Sequence, residues 1–263
     1  MTLNAPLLSI RDLVIEIGGR RVVDVAELSV ARGQIVGLVG ESGAGKSLLL
    51  SSILGLLPAD ATVGGSIAFD GLELRGAPDR LLRSVRGRRI AVVLQAARAA
   101  LTPTLRAGTW IERALVLHRI PAPERRTRMA HALDAVRLDP ALLRRYPHQL
   151  SGGEAQRVAI ALAVALRAEL ILADEATSAL DVTVQAEVAE LFRDLRGTEG
   201  TAFLVVSHDL ALVAGLADRI DIIADGSIVE RGGPSVLSDP QHRVTLEMVN
   251  ANPTLERAQE TAP

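Results

Sequence analysis

Residues Gly40-Glu41-Ser42-Gly43-Ala44-Gly45-Lys46-Ser47 match the spacing G-x-x-x-x-G-K-[ST], with Leu48 next. In a glycine-rich turn of this kind successive backbone N–H groups curl around a phosphate, and the helix that starts near Ser47 adds the positive end of its dipole. Lys46 then reaches the β- and γ-phosphates of a nucleotide as a compact charge, and the Ser47 hydroxyl holds Mg²⁺. The bland alternative, a flexible turn ahead of a helix, does not explain why Lys46 is the single lysine among 29 basic residues. Wherever the chain needs only positive charge it uses arginine, so the exception marks a place where a planar guanidinium does not fit. Such a loop alone does not choose among ATPases, GTPases and small-molecule kinases. GTPases read guanine with Asn-Lys-x-Asp, and this chain has no second lysine to build that motif.

Two further sets of residues carry chemistry. Asp174-Glu175 ends the aliphatic stretch 170–173. Adjacent anions are not left unpaired in an interior, and at the C-terminal edge of a parallel sheet they face the ligand crevice. There Asp174 supports Mg²⁺ and Glu175 polarises a water for attack on a γ-phosphate, unless the pair is simply two solvated loop acids. Ser151-Gly152-Gly153-Glu154 opens a long apolar helix. Its Ser-x-x-Glu spacing is a capping box, which is a sufficient local reason for the sequence. The two glycines favour close backbone approach to an anion, which is a functional one.

These residues need elements to hold them. Alternation over 8–17 and 21–30, joined by Gly18-Gly19, predicts two half-buried strands. Residues 34–39 read as a strand buried on both faces, 47–57 as a helix closed by Pro58, and 66–69 and 90–94 as strands. From 106 to 167 the periodicity is helical, broken at prolines 103, 121, 123, 140 and 147. Strands at 170–173, 202–206 and 219–224 then alternate with helices at 182–196 and 210–217, and beyond Pro234 a helical tail ends in a polar, frayed terminus. A βα series interrupted by an all-helical stretch predicts an α/β fold: a mainly parallel sheet core with an antiparallel β subdomain and an inserted helical subdomain.

Composition bounds the rest. A net charge of -2 lacks the electrostatic footprint of a protein that binds nucleic acid through phosphates. The longest apolar run in the helical patterns, 158–166, is far short of the about 20 residues that cross a bilayer. No basic region followed by an apolar run opens the chain, so no signal peptide is expected. The absence of cysteine excludes disulfides, thiolate metal sites and a cysteine nucleophile. A soluble, cytoplasmic protein is the expectation.

Leu150 to Arg157 resembles the signature motif of ATP-binding cassette (ABC) proteins, a phosphate-loop NTPase family. Other residues fall into that family's pattern over nearly the whole chain. Gln95 is similar to its Q-loop glutamine, which senses Mg²⁺ and the attacking water. Ser178-Ala179-Leu180-Asp181 resembles the D-loop, and His208 the switch histidine that contacts the γ-phosphate. By itself a histidine at a strand end is usually structural. Leu101-Thr102-Pro103, Tyr146-Pro147, the stretch 179–186 and the tail 240–245 resemble the peptide/nickel importer group. The tail and the Gly45-Lys46-Ser47-Leu48 continuation lean toward its nickel or metal-chelate members.

The resemblance implies an ATP-hydrolysing importer subunit working with ATP and Mg²⁺, the metal held by Ser47, Gln95 and Asp174, with Glu175, His208 and Gln95 catalytic. It implies a head-to-tail pair with an identical or paralogous ATPase, in which Ser151, Gly152, Gly153 and Asp181 complete the partner's nucleotide site. Two permease subunits and, through them, an extracellular solute-binding protein are the further partners, at the cytoplasmic face of the plasma membrane. Its domain division is an ATP-binding core at 1–95 and 160–233, a helical signature subdomain at 96–159 and a tail at 234–263. A soluble ABC protein of DNA repair or of the ribosome would carry a long coiled-coil insertion or a second cassette, and this chain shows neither. A non-hydrolysing regulatory module is disfavoured by Glu175 and His208. Three departures stand out: no aromatic on residues 14–17 to stack on adenine, so that Ile17 or a neighbour must make an apolar contact, Ala176 where proline commonly follows the glutamate, and Ala96-Ala97 in place of Asp-Pro.

Overall fold

The computed structural model describes residues 5–252, and the expected frayed terminus lies outside them. In chain order the elements are β1 (Leu8–Ile17), β2 (Arg20–Val30), β3 (Ile35–Val39), α1 (Lys46–Ile53), β4 (Ala61–Phe69), β5 (Leu72–Glu73), α2 (Asp79–Val85), β6 (Ile90–Leu94), α3 (Ala97–Ala100), α4 (Ala107–Leu117), α5 (Ala122–Ala135), α6 (Gly152–Leu166), β7 (Leu170–Asp174), α7 (Val182–Glu199), β8 (Ala202–Val206), α8 (Leu210–Leu216), β9 (Arg219–Ala224), β10 (Ser227–Gly232) and α9 (Arg243–Asn250). Short 3-10 turns at Pro140–Arg144, Pro147–Gln149 and Pro234–Leu237 each open on a proline, which tolerates the first position of a helical turn. The chain forms two compact units, one running to Arg83 and resuming at Ala202, the other Ser84–Thr201.

In the first unit β2, β1, β4 and β5 form an antiparallel sheet in that order. Burial in β1 alternates as Leu8 and Ile10, then slips phase to Leu13 and Ile15. The slip falls at Asp12, held at φ 47, opposite Gly65 at φ 84 on β4. A β-bulge explains why the Gly64-Gly65 pair does not end β4, which runs from Ala61 where the sequence predicts a strand only from 66. The same unit holds β9, β3 and β8 as parallel neighbours, with β10 antiparallel to β9. All five residues of β3 and of β8 are buried, as strands covered on both faces must be. Asp221 of β9, fully buried, is paired with Arg219 at 2.9 Å and Arg231 at 2.8 Å. Those guanidiniums also donate to the carbonyls of Ser29 and Glu27, which ties β2 to the β9–β10 hairpin. A buried carboxylate is tolerable because it is paired and its lone pairs are filled.

The expected helix 47–57 is shorter, Lys46–Ile53. Gly55 at φ 61 donates to Ser52 O and Leu56 N–H donates to Ser51 O, so a Schellman closure ends α1 before Pro58 can. Strand β10 and the short β5 and α2 are additions to the expected elements. The tail is helical at α9, as expected beyond Pro234.

In the second unit β6 and β7 are parallel, with Ile90 opposite Leu170 and Leu94 opposite Asp174. Their register is pinned where they begin. Arg89 donates twice to the Glu169 carboxylate, and Glu169 N–H donates back to Arg89 O at 2.9 Å. α6 buries most of its small apolar residues, from Ala155 to Leu166, and α7 buries Val188, Leu191, Phe192 and Leu195, one helical stripe. Their N-terminal ends are joined by Arg157, whose guanidinium meets Glu187 at 2.7 Å.

Candidate functional site

Residues 40–47 lie where the sequence puts them, between buried strand β3 and helix α1. Gly45, the N-cap of α1, sits at φ 97, where residues with a Cβ are strained, and as a glycine it makes no side-chain cap. A glycine cap leaves room for an anion at that end, which is the positive end of the helix dipole. Lys46 is only 7% exposed, and its Nζ donates to Gly40 O and Glu41 O, both at 2.7 Å. The ammonium thus sits inside the curl of the loop and spans it.

The loop is buttressed by the β9–β10 turn. Gly226 N–H donates to Ala44 O at 3.2 Å, and Gly226 O accepts from Asp24 N–H at 2.8 Å. A Cβ on Gly226, at φ 79, would stand 2.5 Å from Val22 O, so only glycine lets the turn close on loop and strand together. Gly226 is a supporting residue that the reading of the sequence missed. Asp225-Gly226 between two apolar runs is a hairpin signal that marks it.

His208 leaves the C-terminal end of β8. Because Leu38 is opposite Val206, the phosphate loop and His208 emerge from neighbouring parallel strands at one edge of the first unit. The histidine is exposed, and its backbone is fixed on one side by Asp209 N–H donating to Ser207 Oγ at 3.0 Å. On the other side Asp209 caps α8 through Leu212 N–H, also at 3.0 Å. In the same unit the aromatic residues Phe69 and Phe203 are fully buried, so neither offers a face to a base, while Val14 and Ile17 are partly exposed.

In the second unit the register Leu94 to Asp174 places Gln95 and Glu175 side by side in sequence order, just past two neighbouring strand ends. Gln95 is exposed, while Asp174 and Glu175 are half-buried. Glu175 has φ 48, a left-handed conformation that costs a residue other than glycine about 1–2 kcal/mol and so must be held by its surroundings. Ser178 holds it: N–H and Oγ both donate to Glu175 O, at 3.1 and 3.0 Å. Asp181 caps α7 by accepting from Val184 N–H at 3.1 Å.

Ser151 is the N-cap of α6, with both arms of the capping box formed: Glu154 N–H donates to Ser151 Oγ at 3.1 Å and Ser151 N–H to Glu154 Oε2 at 2.6 Å. Both readings of this segment are therefore compatible, since the hydroxyl accepts in the cap while its proton stays available to a ligand. Gly152 and Gly153 are exposed and half-buried, packed toward Leu180 and Val184.

The chain is similar to known proteins in sequence and in fold. The ABC transporter family model matches residues 23–178. The chain is 43% identical over 262 residues to the peptidoglycan transport ATP-binding protein YejF of Agrobacterium fabrum, covering 96% of this chain and 48% of that protein. It is 36% identical to the oligopeptide transport ATP-binding protein OppD of Escherichia coli, covering 97% of this chain and 78% of that one. The chain thus spans about half the length of the first relative and more of the second. Among solved structures, the dimeric post-hydrolysis state of the ATP-binding cassette MJ0796 bound to ADP and Pi superposes with a TM-score of 0.75 at 29% identity, covering 86% of this chain and 98% of that one. Phosphate loop, fold and relatives agree: the chain belongs to the ABC transporter family, as one of its ATP-binding cassettes.

Proposed function

We propose that this chain is the ATP-hydrolysing subunit of an importer of small solutes, a peptide or a nickel or other metal chelate. The observation that carries the reading is the glycine-capped N-terminus of α1 with Lys46 lying across its loop, in a chain alignable over 97% of its length with an oligopeptide transport ATP-binding protein. In this reading the loop N–H groups and Lys46 hold the β- and γ-phosphates, Ser47 faces them, and His208 contacts the γ-phosphate from the neighbouring strand end. By its resemblance to the family's glutamate, Glu175 orients a water and takes its proton as the water oxygen bonds to the γ-phosphorus and the bond to the ADP oxygen breaks.

Ser47, Asp174 and Gln95 are hard oxygen donors with a single carboxylate among them, a set that suits Mg²⁺, which keeps waters and phosphate oxygens as its other ligands. Bound there, Mg²⁺ neutralises charge on the phosphate oxygens. Ser151, Gly152, Gly153 and Asp181 lie on exposed or half-buried ends of α6 and α7, as residues must that serve a second ATPase chain.

No helix among the described residues is long and apolar enough to cross a membrane. The partners in this reading are two permease subunits, fed by an extracellular solute-binding protein. The cassette works peripherally at the cytoplasmic face of the plasma membrane, paired with a paralogous ATPase. Co-expression with a candidate paralogue and permeases, followed by size analysis and ATPase assay, tests this. A complex with permease-dependent turnover is expected, the lone chain being monomeric and slow. A tight ATP-dependent homodimer at full activity that ignores the permeases overturns the importer reading.

A further inference from the structure

We propose that Gln185 is a positioning residue for Glu175, its side-chain amide clamping the turn that keeps Glu175 in its left-handed conformation. The inference rests on the reading of Glu175 as the residue that orients water. From Glu175 the chain turns sharply into residues 176–181. Ser178 closes the first part of that turn on Glu175 O, and Leu180 N–H closes the second on Thr177 O at 3.0 Å. Thr177 is buried, and its carbonyl takes a second hydrogen bond from Gln185 Nε2 at 3.0 Å.

That bond is not part of the helix cap. Asp181 already caps α7 through Val184 N–H, and Gln185 N–H is spent on Asp181 O at 2.9 Å. The amide instead reaches back eight positions, past the start of its own helix, to the middle of the turn. A clamp needs an anchored base, and α7 has one. A Cβ on Gly153 would stand 2.7 Å from Val184 Cγ1, and Arg157 pairs with Glu187 at 2.7 Å, so the first turns of α7 are seated on the start of α6. Gln185 thus links that seat to the carbonyl two residues after Glu175. Of the uncharged polar side chains only glutamine combines this reach with an N–H donor; methionine has the reach without the donor, and lysine restores a donor.

The test uses the full chain carrying Gln185→Met or Gln185→Lys, with Glu175→Gln as reference. In Gln185→Met the amides of Ser178 and Leu180 are expected to exchange with deuterium about tenfold faster without nucleotide, because the turn opens more often. Turnover is expected to fall about fivefold or more while KM for ATP stays within about twofold, the split expected when geometry at the reacting centre is lost and binding is kept. Gln185→Lys should recover at least about half of the turnover, since its ammonium also donates to a carbonyl. Unchanged exchange and turnover in Gln185→Met overturns the clamp. So does a loss of turnover accompanied by an equal loss of ATP affinity and melting temperature that lysine does not rescue. If Glu175→Gln leaves turnover intact, the role of Glu175 itself fails; if it stops turnover and Gln185→Met does not, the clamp alone fails.

Discussion

The N-termini of α1 and α6 are built from similar residues, glycines beside a serine, and end differently. At α1 the N-cap is Gly45, which makes no side-chain cap, and a buried lysine lies across the loop. At α6 the N-cap is Ser151, and Ser151 and Glu154 satisfy each other's backbone N–H groups. A helix end bare of a cap side chain leaves room for an outside anion, whereas a helix end that caps itself can offer only what its cap leaves over. The contrast fits the proposed division of roles, phosphate binding at the first and a lesser, completing contact at the second.

Lys46→Ala strikes the bare end and should have the largest effect. The ammonium supplies a charge-assisted hydrogen bond, worth about 1.5–3 kcal/mol, and the attraction of its full charge for the β- and γ-phosphates, so its loss weakens ATP binding by about a hundredfold or more. Equilibrium binding of a fluorescent ATP analogue reads this directly, and loss below tenfold would dissolve the contrast. Glu175→Gln leaves the bare end alone. It should bind ATP as the unsubstituted chain does and turn over about a hundredfold more slowly, because a positioned base contributes about that factor. Phosphate release measured beside binding separates the two variants.

The next effect tests how far the phosphates dominate. Stacking on an aromatic ring is worth about 1–3 kcal/mol per base. With Phe69 and Phe203 buried, the first unit cannot supply it, so GTP should compete with ATP within about tenfold. Competition binding checks this, and a much stronger preference for ATP would mean that another residue, of this chain or of a partner chain, reads adenine.

Ser151→Ala probes the capped end. Loss of the cap should cost about 1 kcal/mol, and in a chain of this size lower the melting temperature by about 2–4 °C. ATP binding by the lone chain should stay unchanged, while hydrolysis in the paired state falls. If binding by the lone chain drops instead, α6 is serving its own chain's nucleotide.

Legibility of the two ends in sequence differed for a physical reason. The bare end does its chemistry with eight consecutive residues, so the pattern, the strand before it and the helix after it could be read together. The capped end has an adequate local explanation in the capping box, and only resemblance to a family gave it a second role. Gly226 and Gln185 escaped because their partners, Ala44 and Thr177, are chosen by the closing of the chain and by no periodicity. The phase slip at Asp12 and the early stop of α1 at Gly55 escaped for another reason: both depend on a positive φ that alternation and helical periodicity do not register.

The smallest effect extends the comparison to the units that carry the two ends. In the second unit His118 lies against Gly87, where a Cβ would stand 2.7 Å from its Nε2. Burial, and then the charge of Arg88, hold the imidazole below its ordinary value of 6.5. The unfolded chain therefore takes up a proton before the folded one does, so stability is full above 6.5 and declines as pH falls toward the lowered folded value. In the first unit burial pushes Glu73 up, but bonds from the Ser66 hydroxyl and the N–H groups of Ile67 and Arg75, with the charge of Arg75, outweigh it and hold the carboxyl below 4.5. Its contribution is present above 4.5 and is lost only as pH falls through the lower folded value. Acidification should thus loosen the second unit first. Hydrogen exchange followed from pH 7.5 to about 5, corrected for intrinsic rates, should show α4 near His118 losing protection while β4 and β5 near Glu73 keep theirs. His118→Gln should flatten the first change and leave the second untouched, and simultaneous loosening of both units would show that acid stability is set by groups common to the two.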